Sequence, residues 1–348
     1  MLLSKYNKRN SNIELLRIIS MFMILALHAN FNALGSPTSN EAVTNPALTF
    51  ARVCFEQLCI ICVNLFVLIS GWFSIKTKVK SAASFLFQSY FIITFMYLMG
   101  LILGKASFNP DSIMQCFMLQ GNAWFVMAYF GLYLLAPFLN GYCEKASKNN
   151  LKLILIAFFT FQTIYGCFTT NVIYINKGFS TFSFIGLYLL ARYLRLYPSK
   201  LKRRPINLYI IFTLGLIIWY WVPLYFGYKN IANMALAYTC PFNILSAVGL
   251  VVYFAQMKPR VIPWINYISS SVFAVYLCHI CNNWTWNTFK SIFEKAFNEI
   301  GLYYIPYCML IFLLIFIFSI CIDFIRKIAW NQISRIKLRK ILMQNTPE

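Results

Sequence analysis

Residues 302–322 read LYYIPYCMLIFLLIFIFSICI, and this stretch contains no charged side chain. At ~1.5 Å of rise per residue, a helix of this length is about 30 Å long, which matches the hydrocarbon core of a bilayer. A helix satisfies all of its backbone hydrogen bonds internally, as a segment that crosses lipid must. The stretch therefore predicts a transmembrane helix.

Similar apolar runs recur along the chain. Of its 348 residues, 60% are apolar and only 11% are charged, whereas soluble domains carry about 25% charged residues. The strand-like alternation of a membrane barrel is absent. We therefore predict an all-α protein, a polytopic transmembrane bundle of about ten helices that forms a single domain over 1–348. The predicted spans are 12–32, 54–75, 82–104, 122–141, 151–170, 181–197, 206–226, 236–256, 265–284 and 302–322.

The basic residues indicate how this bundle is oriented. A net charge of +21 can indicate nucleic-acid binding, but Lys and Arg are concentrated here in alternate loops between the apolar runs. With both chain ends inside, the inner segments hold 23 of the 30 basic residues and the outer segments hold six. The positive-inside rule then predicts an N-in, C-in bundle over 12–322, with no nucleic-acid partner. The basic tail, 323–348, is expected to lie along the anionic lipids of the inner leaflet.

The first span carries two ionisable residues at different depths. Arg17 and His28 are eleven residues apart, so they fall within roughly 20° of one helix face and about 16 Å apart along the axis. Glu14, one turn before Arg17, is placed to pair with it. Ionisable groups in lipid usually face a bundle interior or a wet cavity, which favours a functional site. The other interpretation is that Arg17 snorkels to the surface while His28 makes a packing contact.

This helix resembles the first helix of acyltransferase family 3, the integral membrane O-acyltransferases of bacterial envelope polysaccharides. The family signature there is a basic residue, ten residues and a His, which Arg17 and His28 match. Three further motifs follow in the family's order, so the resemblance covers residues 12–280. They are the apolar run from Asn64 to Phe73 that ends in Ser-Gly-aromatic, Trp124-Phe125 with Tyr133 and Pro137, and the Tyr-Leu-x-His motif from Tyr276 to His279.

Two features depart from the family pattern. Many members carry an acidic residue shortly after the first-helix His, where this chain has Asn30 and Asn32. Many also carry Arg-x-Arg near the cytoplasmic end of the second or third helix, where the nearest equivalent is Lys76-Thr77-Lys78. Lys neutralises a phosphate but lacks the bidentate fork of Arg.

The resemblance implies an O-acyltransferase of the bacterial cytoplasmic membrane. It would transfer an acyl group, expected to be acetyl, from acyl-CoA to a hydroxyl of a cell-envelope glycan or its lipid-linked precursor. Arg17, Lys76 and Lys78 would supply cations for the phosphates of cytoplasmic acetyl-CoA. His28 would act with Arg17 in catalysis, as the base that takes the proton of the hydroxyl.

Three further residues are candidates for binding the acceptor. His279 is interpreted as a second catalytic group, as a residue that orients the acceptor, or as a buried packing residue. Tyr276 belongs to the same motif. Trp124, near the predicted outer end of its helix, would stack on a sugar ring or anchor the helix at the membrane interface.

Two other classes of function are left open. A transporter or flippase of lipid-linked sugars or acyl groups also buries Arg and His in its helices, although no inverted repeat is visible and the chain has only nine acidic residues. A structural membrane protein would have no need for two histidines within its spans. Most of the eleven cysteines lie in apolar runs, where Cys behaves as a small apolar residue, so neither a metal site nor a disulfide framework is predicted.

Overall fold

The computed structural model describes residues 9–119, 123–169, 172, 174–198 and 204–344, with the side chains of 302 and 335–344 left out. It is 82% helical, and no strand occurs among these residues. The predicted all-α membrane bundle is confirmed. Lys200, Lys202 and Arg203, which count among the basic residues of the predicted inner segments, lie outside the described residues.

Short irregular segments separate the helices, and two of the helices are extended by π turns. The π turn His28–Asn32 extends the first helix, and Ile164–Phe168 extends the eighth. In chain order the helices are α1 (Ser11–Leu27), α2 (Ser39–Thr44), α3 (Pro46–Cys59), α4 (Cys62–Phe73), α5 (Val79–Ile102), α6 (Pro110–Cys116), α7 (Trp124–Lys145), α8 (Lys148–Thr163), α9 (Thr181–Leu196), α10 (Ile206–Tyr225), α11 (Lys229–Met234), α12 (Pro241–Gln256), α13 (Pro263–Ser269), α14 (Val272–Ile280), α15 (Asn283–Glu299) and α16 (Tyr304–Gln344).

The chain forms two compact units, each built from segments that are distant in sequence. The first unit comprises 1–77, 124–269 and 290–301, and within it α1 packs against α3, α4, α12 and α13. In the second unit, which comprises the remaining segments 78–123, 270–289 and 302–348, α5, α14 and α16 pack against one another. The assignment of one domain to the whole chain stays a prediction.

Every predicted span overlaps at least one helix, but 54–75 and 265–284 each include a break between helices, and the number of membrane crossings is a separate matter. Seven helical segments of the described chain are long and apolar enough to cross a membrane, or eight if α13 to α15, bent by 86°, count as one span. Two predicted spans, 181–197 and 236–256, correspond to helices of only 16 residues, about 24 Å long. The count of ten and the N-in, C-in orientation therefore stay predictions.

The three longest segments between predicted spans, 33–53, 105–121 and 285–301, are partly helical, although they were expected to be external loops. The largest difference is 285–301, most of which belongs to α15. Phe289, Phe293 and Ala296 are buried at the spacing of one helix face, while Lys290 and Glu294 form an exposed ion pair of 3.6 Å. A search for long apolar runs misses such an amphipathic helix, because charged residues interrupt the run.

The last long helix continues past residue 322, where the basic tail was predicted to begin. Asp323 is fully buried, and its carboxylate accepts hydrogen bonds from Arg326 at 2.6 Å and from Gln88 at 3.0 Å. Lys327 Nζ lies 2.9 Å from the same carboxylate. The first residues of the predicted tail therefore pack within the second unit, and contact of the remaining tail with lipid stays a prediction.

Candidate active site

The N-terminal end of α1 is organised around a buried carboxylate. Glu14 is 5% exposed and accepts hydrogen bonds from Arg17 Nη1 at 2.9 Å and from Ser269 Oγ of α13 at 2.5 Å. Arg9 Nη1 lies 3.7 Å from the same carboxylate. The expected pairing of Glu14 with Arg17 is confirmed.

Both arginines at this end keep part of their surface in contact with solvent. The side chain of Arg17 is 28% exposed and that of Arg9 is 44% exposed. Two guanidinium groups therefore share one carboxylate, which leaves this group of three side chains positively charged. A guanidinium carries five N–H donors, and the ion pair with Glu14 engages Nη1 of Arg17. The remaining donors suit an anion such as phosphate.

The opposite end of α1 changes its winding at His28. In the π turn His28–Asn32, the N–H of Ala33 donates to the His28 carbonyl five residues earlier. Single π turns within α-helices are rare and occur frequently at functional sites. His28 is half-buried, and Arg17 lies about 16 Å away along the axis of the same continuous helix. The two residues singled out in the first span thus occupy opposite ends of one helix.

A polar network holds the residues that follow His28. The amide nitrogen of Asn30 donates to the Arg52 carbonyl and to Glu56 Oε2, both at 2.9 Å. The amide oxygen of Asn30 accepts from Arg52 Nε at 3.2 Å, and Arg52 Nη2 donates to the Gly35 carbonyl at 2.5 Å. Glu56 was not predicted as a site residue from the sequence, although a lone carboxylate within an apolar segment is itself a signal of a functional site.

Two of the sequence motifs meet where α4 packs against α7 and α9. Ser70 Oγ donates to the Phe66 carbonyl at 2.9 Å, so the 3.0 Å contact with Tyr129 is a hydrogen bond that the tyrosine donates. A Cβ atom at Gly71 would lie 2.6 Å from the carbonyl oxygen of Tyr188. Glycine is therefore required for the close approach of α4 and α9, as in many membrane helix pairs.

Lys76 lies in a short loop after α4 whose backbone is fixed by side chains. Tyr188 Oη accepts from the Ile75 N–H at 2.9 Å and donates to Asn140 Oδ1 at 2.8 Å, while Asn140 Nδ2 donates to the Ile75 carbonyl at 3.0 Å. Lys76 itself is exposed. Lys78 belongs to the second unit, where it is the exposed N-cap residue of α5. The two lysines are thus accessible cations on separate units.

Trp124, the first residue of α7, lies in an aromatic cluster of the first unit. Its ring centroid is 4.5 Å from that of Phe179 and 6.4 Å from that of Tyr238. Asn64 of α4 donates to the Tyr238 carbonyl at 3.0 Å, which ties the cluster to a motif-bearing helix. Trp124 is half-buried, so its geometry fits both stacking on a sugar ring and anchoring of α7.

In the second unit, Tyr276 and His279 are both buried on α14. His279 Nδ1 lies 2.6 Å from the Val275 carbonyl. A carbonyl only accepts, so Nδ1 carries the proton and donates it to this bond. The His279 ring is perpendicular to that of Tyr276 at 6.2 Å and lies 5.4 Å from that of Phe289. With Nδ1 engaged, only Nε2 of a neutral His279 can accept a proton.

The helical bundle and the long apolar helices within it define a class, the multi-pass membrane proteins. Comparison with known families specifies which one. The chain matches the model of acyltransferase family 3, described as an acyltransferase domain, over residues 10–326. The chain therefore belongs to this family and is a membrane acyltransferase, which confirms the resemblance seen in the sequence. The comparisons with curated proteins and with solved structures found no match.

Proposed function

We propose that this membrane acyltransferase transfers an acyl group, acetyl in particular, from a CoA thioester to a hydroxyl of a cell-envelope glycan or its lipid-linked precursor. We place the reaction in the bacterial cytoplasmic membrane. The observation that carries the proposal is that α1 bears a partly exposed guanidinium, Arg17, at one end and a half-buried imidazole, His28, at the other. An acyl-CoA is an elongated molecule with phosphates at one end and the thioester at the other, so it suits a site about 16 Å long.

The donor is proposed to bind through its phosphates to the basic residues Arg17 and Lys76 of the first unit, and the role predicted for Lys78 of the second unit stays a separate prediction. Arg17 offers a planar fork that can contact two phosphate oxygens at once, whereas a lysine acts as a point charge. Lys76 lies on a loop that Tyr188 and Asn140 hold in place. A phosphate bound there would meet a cation whose backbone is already ordered, which lowers the entropic cost of binding.

His28 is proposed as the general base, with Arg17 holding the donor for the reaction. The neutral imidazole takes the proton of the acceptor hydroxyl as the hydroxyl oxygen attacks the thioester carbonyl. The tetrahedral intermediate then collapses, the carbon–sulfur bond breaks, and the CoA thiolate leaves and takes the proton back from the imidazolium. The products are the O-acyl ester and free CoA, and His28 returns to its neutral form. General-base catalysis of this kind contributes about 10²–10⁴-fold to the rate.

The acceptor is proposed to contact either Trp124 of the first unit or Tyr276 and His279 of the second unit. The half-buried ring of Trp124 suits the apolar face of a sugar. His279, whose Nδ1 is held by a backbone carbonyl, would present Nε2 to an acceptor hydroxyl. In this role His279 orients the hydroxyl, and it is the next candidate for the base if His28 is not.

The test compares O-acetylation of the envelope glycan in cells that lack the gene and in cells complemented with wild-type protein, His28→Gln or Asn32→Ala. Asn32 is an exposed residue of the same π turn, so its variant controls for changes in that turn. We expect O-acetyl groups with the wild type and Asn32→Ala, and about 10²–10⁴-fold slower acetylation with His28→Gln. Equal acetylation with and without the gene would remove the proposed reaction.

Binding of acetyl-CoA to the purified proteins separates loss of chemistry from loss of folding. Because the proton moves only in the transition state, His28→Gln should bind acetyl-CoA with nearly the wild-type Kd. A His28→Gln protein that binds acetyl-CoA and acetylates at the wild-type rate would exclude His28 as the base.

A further inference from the structure

We infer that Asn30, Arg52 and Glu56 form a positioning network that fixes the π turn at the end of α1 and thereby aims the imidazole of His28. The inference rests on the proposed function, because it assigns these residues a task only if His28 acts in catalysis. None of the three is proposed to touch the substrates.

The network contacts the turn on the side away from the imidazole. Asn30 is two residues beyond His28, so at ~100° per residue their side chains leave the helix about 200° apart. The amide of Asn30 contacts α3 through all of its bonds, two to Arg52 and one to Glu56. These contacts hold the turn to its neighbour and leave the opposite side to His28.

Arg52 extends the attachment from the turn to the segment that follows it. Its Nη2 donates to the carbonyl of Gly35, whose φ of +79° is in the left-handed region that favours glycine. Its guanidinium lies over the rings of Phe31 and Phe297, at 5.8 and 5.5 Å from their centroids. Arg52 thus contacts three residues that follow His28 in the chain, namely Asn30, Phe31 and Gly35.

A π turn is rare in comparison with the α-helix, so we expect it to need contacts from outside the turn. If the turn His28–Asn32 rewound into α-helix, it would contain one residue fewer. The segments before and after it would then be rotated by about 100° relative to each other. The segment after the turn is held by Arg52, so the rotation would fall on the end that carries His28. A misplacement of about 1 Å in a catalytic group can cost about 10²-fold in rate.

The burial of a polar side chain in the network adds a second, independent argument. Glu56 is 2% exposed in a membrane-spanning segment, where a carboxylate is costly and is retained mostly for function. Arg52 lies one turn earlier on α3, and both residues form hydrogen bonds with Asn30. Glu56 and Arg52 both bond to the turn beside His28. A function in holding that turn explains why polar residues are present at this depth.

The first experiment compares Asn30→Ala with Asn32→Ala in acetyl transfer from acetyl-CoA. Asn32 is the same residue type in the same turn, but its side chain is exposed and forms no hydrogen bond within the described part of the chain. We expect kcat to fall about tenfold to a hundredfold in Asn30→Ala, with an unchanged KM for acetyl-CoA and wild-type kinetics in Asn32→Ala. Equal kcat in the two folded variants would overturn the inference.

A swap of the two hydrogen-bonding partners keeps the test decisive if Asn30→Ala does not fold. Asn30→Asp has the shape of the wild type but cannot donate to Glu56, so its kcat should fall as well. In the double variant Asn30→Asp/Glu56→Gln the hydrogen bond is restored with donor and acceptor exchanged, and kcat should rise above that of Asn30→Asp. A double variant no faster than the single one would contradict the network.

The imidazole itself provides a readout that does not depend on turnover. The chain has two histidines, so in a His279→Gln background the ring signals of ¹⁵N-labelled histidine report on His28 alone. Asn30→Ala should shift or broaden these signals, whereas Asn32→Ala should leave them unchanged. Altered signals together with a fully active His28→Gln protein would mean that the network is correct and the proposed base is wrong. Unaltered signals in Asn30→Ala would mean that the network does not aim His28.

Discussion

The two ends of α1 use the same kinds of side chain for different purposes. At the N-terminal end, Arg17 and Arg9 surround the carboxylate of Glu14 and remain partly exposed. At the other end, the guanidinium of Arg52 donates to Asn30 and to a backbone carbonyl, and the carboxylate of Glu56 accepts from Asn30.

The difference lies in what each arginine contacts. The N-terminal arginines direct their charge at a single acid and keep surface for a further anion, so that end is suited to binding. Arg52 directs its donors at the chain after His28, so that end is suited to holding a conformation. Arg and Glu residues that lie close together are therefore not evidence of one function, and their other hydrogen bonds indicate which function they have.

The largest effect on stability is expected from Glu14→Gln at the N-terminal end. The substitution leaves the arginines without their anion, and breaking a buried pair costs about 3–5 kcal/mol. Because Arg17 is 28% exposed, water screens part of this loss, and we expect the free energy of unfolding to fall by about 2–3 kcal/mol. Reversible unfolding in detergent micelles measures it, with the exposed Glu294→Gln as control. A loss no larger than that of the control would show that Glu14 does not organise this end.

A smaller effect, measured on binding, is expected from Arg17→Gln, which leaves Ser269 and Arg9 as partners of Glu14. A charge-assisted hydrogen bond contributes about 1.5–3 kcal/mol, so we expect the Kd for acetyl-CoA to rise about tenfold or more. Titration calorimetry measures the change, with Lys258→Gln as a matched loss of one exposed positive charge. If both variants bind acetyl-CoA equally well, the N-terminal end is not the donor site and the contrast between the two ends fails.

The smallest effect is expected from Arg9→Gln. Its side chain is 44% exposed and lies 3.7 Å from Glu14, and exposed ion pairs contribute about 0.2–1 kcal/mol. We expect a loss of stability below about 1 kcal/mol that disappears at high salt, because mobile ions screen such pairs. The same unfolding experiment, repeated at low and high ionic strength, measures it. A salt-independent loss as large as that of Glu14→Gln would show that the charge at this end is buried.

The fold could be predicted where each segment carries its own signal. A long apolar run is a local property, so every predicted span overlaps at least one helix, although hydropathy does not reveal the breaks between helices inside 54–75 and 265–284. α15 escaped prediction because Lys290 and Glu294 interrupt its apolar residues. The π turn escaped because nothing within His28–Asn32 requires it, whereas its contacts come from Arg52 and Glu56, more than twenty residues further along the chain.

The same distinction applies to the candidate site. Arg17, Glu14 and His28 were found from helical spacing, and the pairing of Glu14 with Arg17 followed from one turn of helix. The role of Glu56 depends on how α3 packs against the end of α1, which spacing within one helix does not reveal. The roles of Arg17, His28, Lys76, Lys78, Trp124, Tyr276 and His279 stay proposals, because they depend on ligands.

The buried Asp323 of α16 has a consequence for how the protein is made. Gln88, one of its hydrogen-bond partners, is synthesised 235 residues earlier, and chains grow at about 5–20 residues per second, so α5 waits about 10–50 s for this contact. During that interval a polar amide on an inserted helix has no Asp323 to bond, and chaperones and membrane proteases can recognise it. The second unit is therefore completed late in translation. Chaperones and membrane proteases can act on the growing chain before the helices of that unit have packed together.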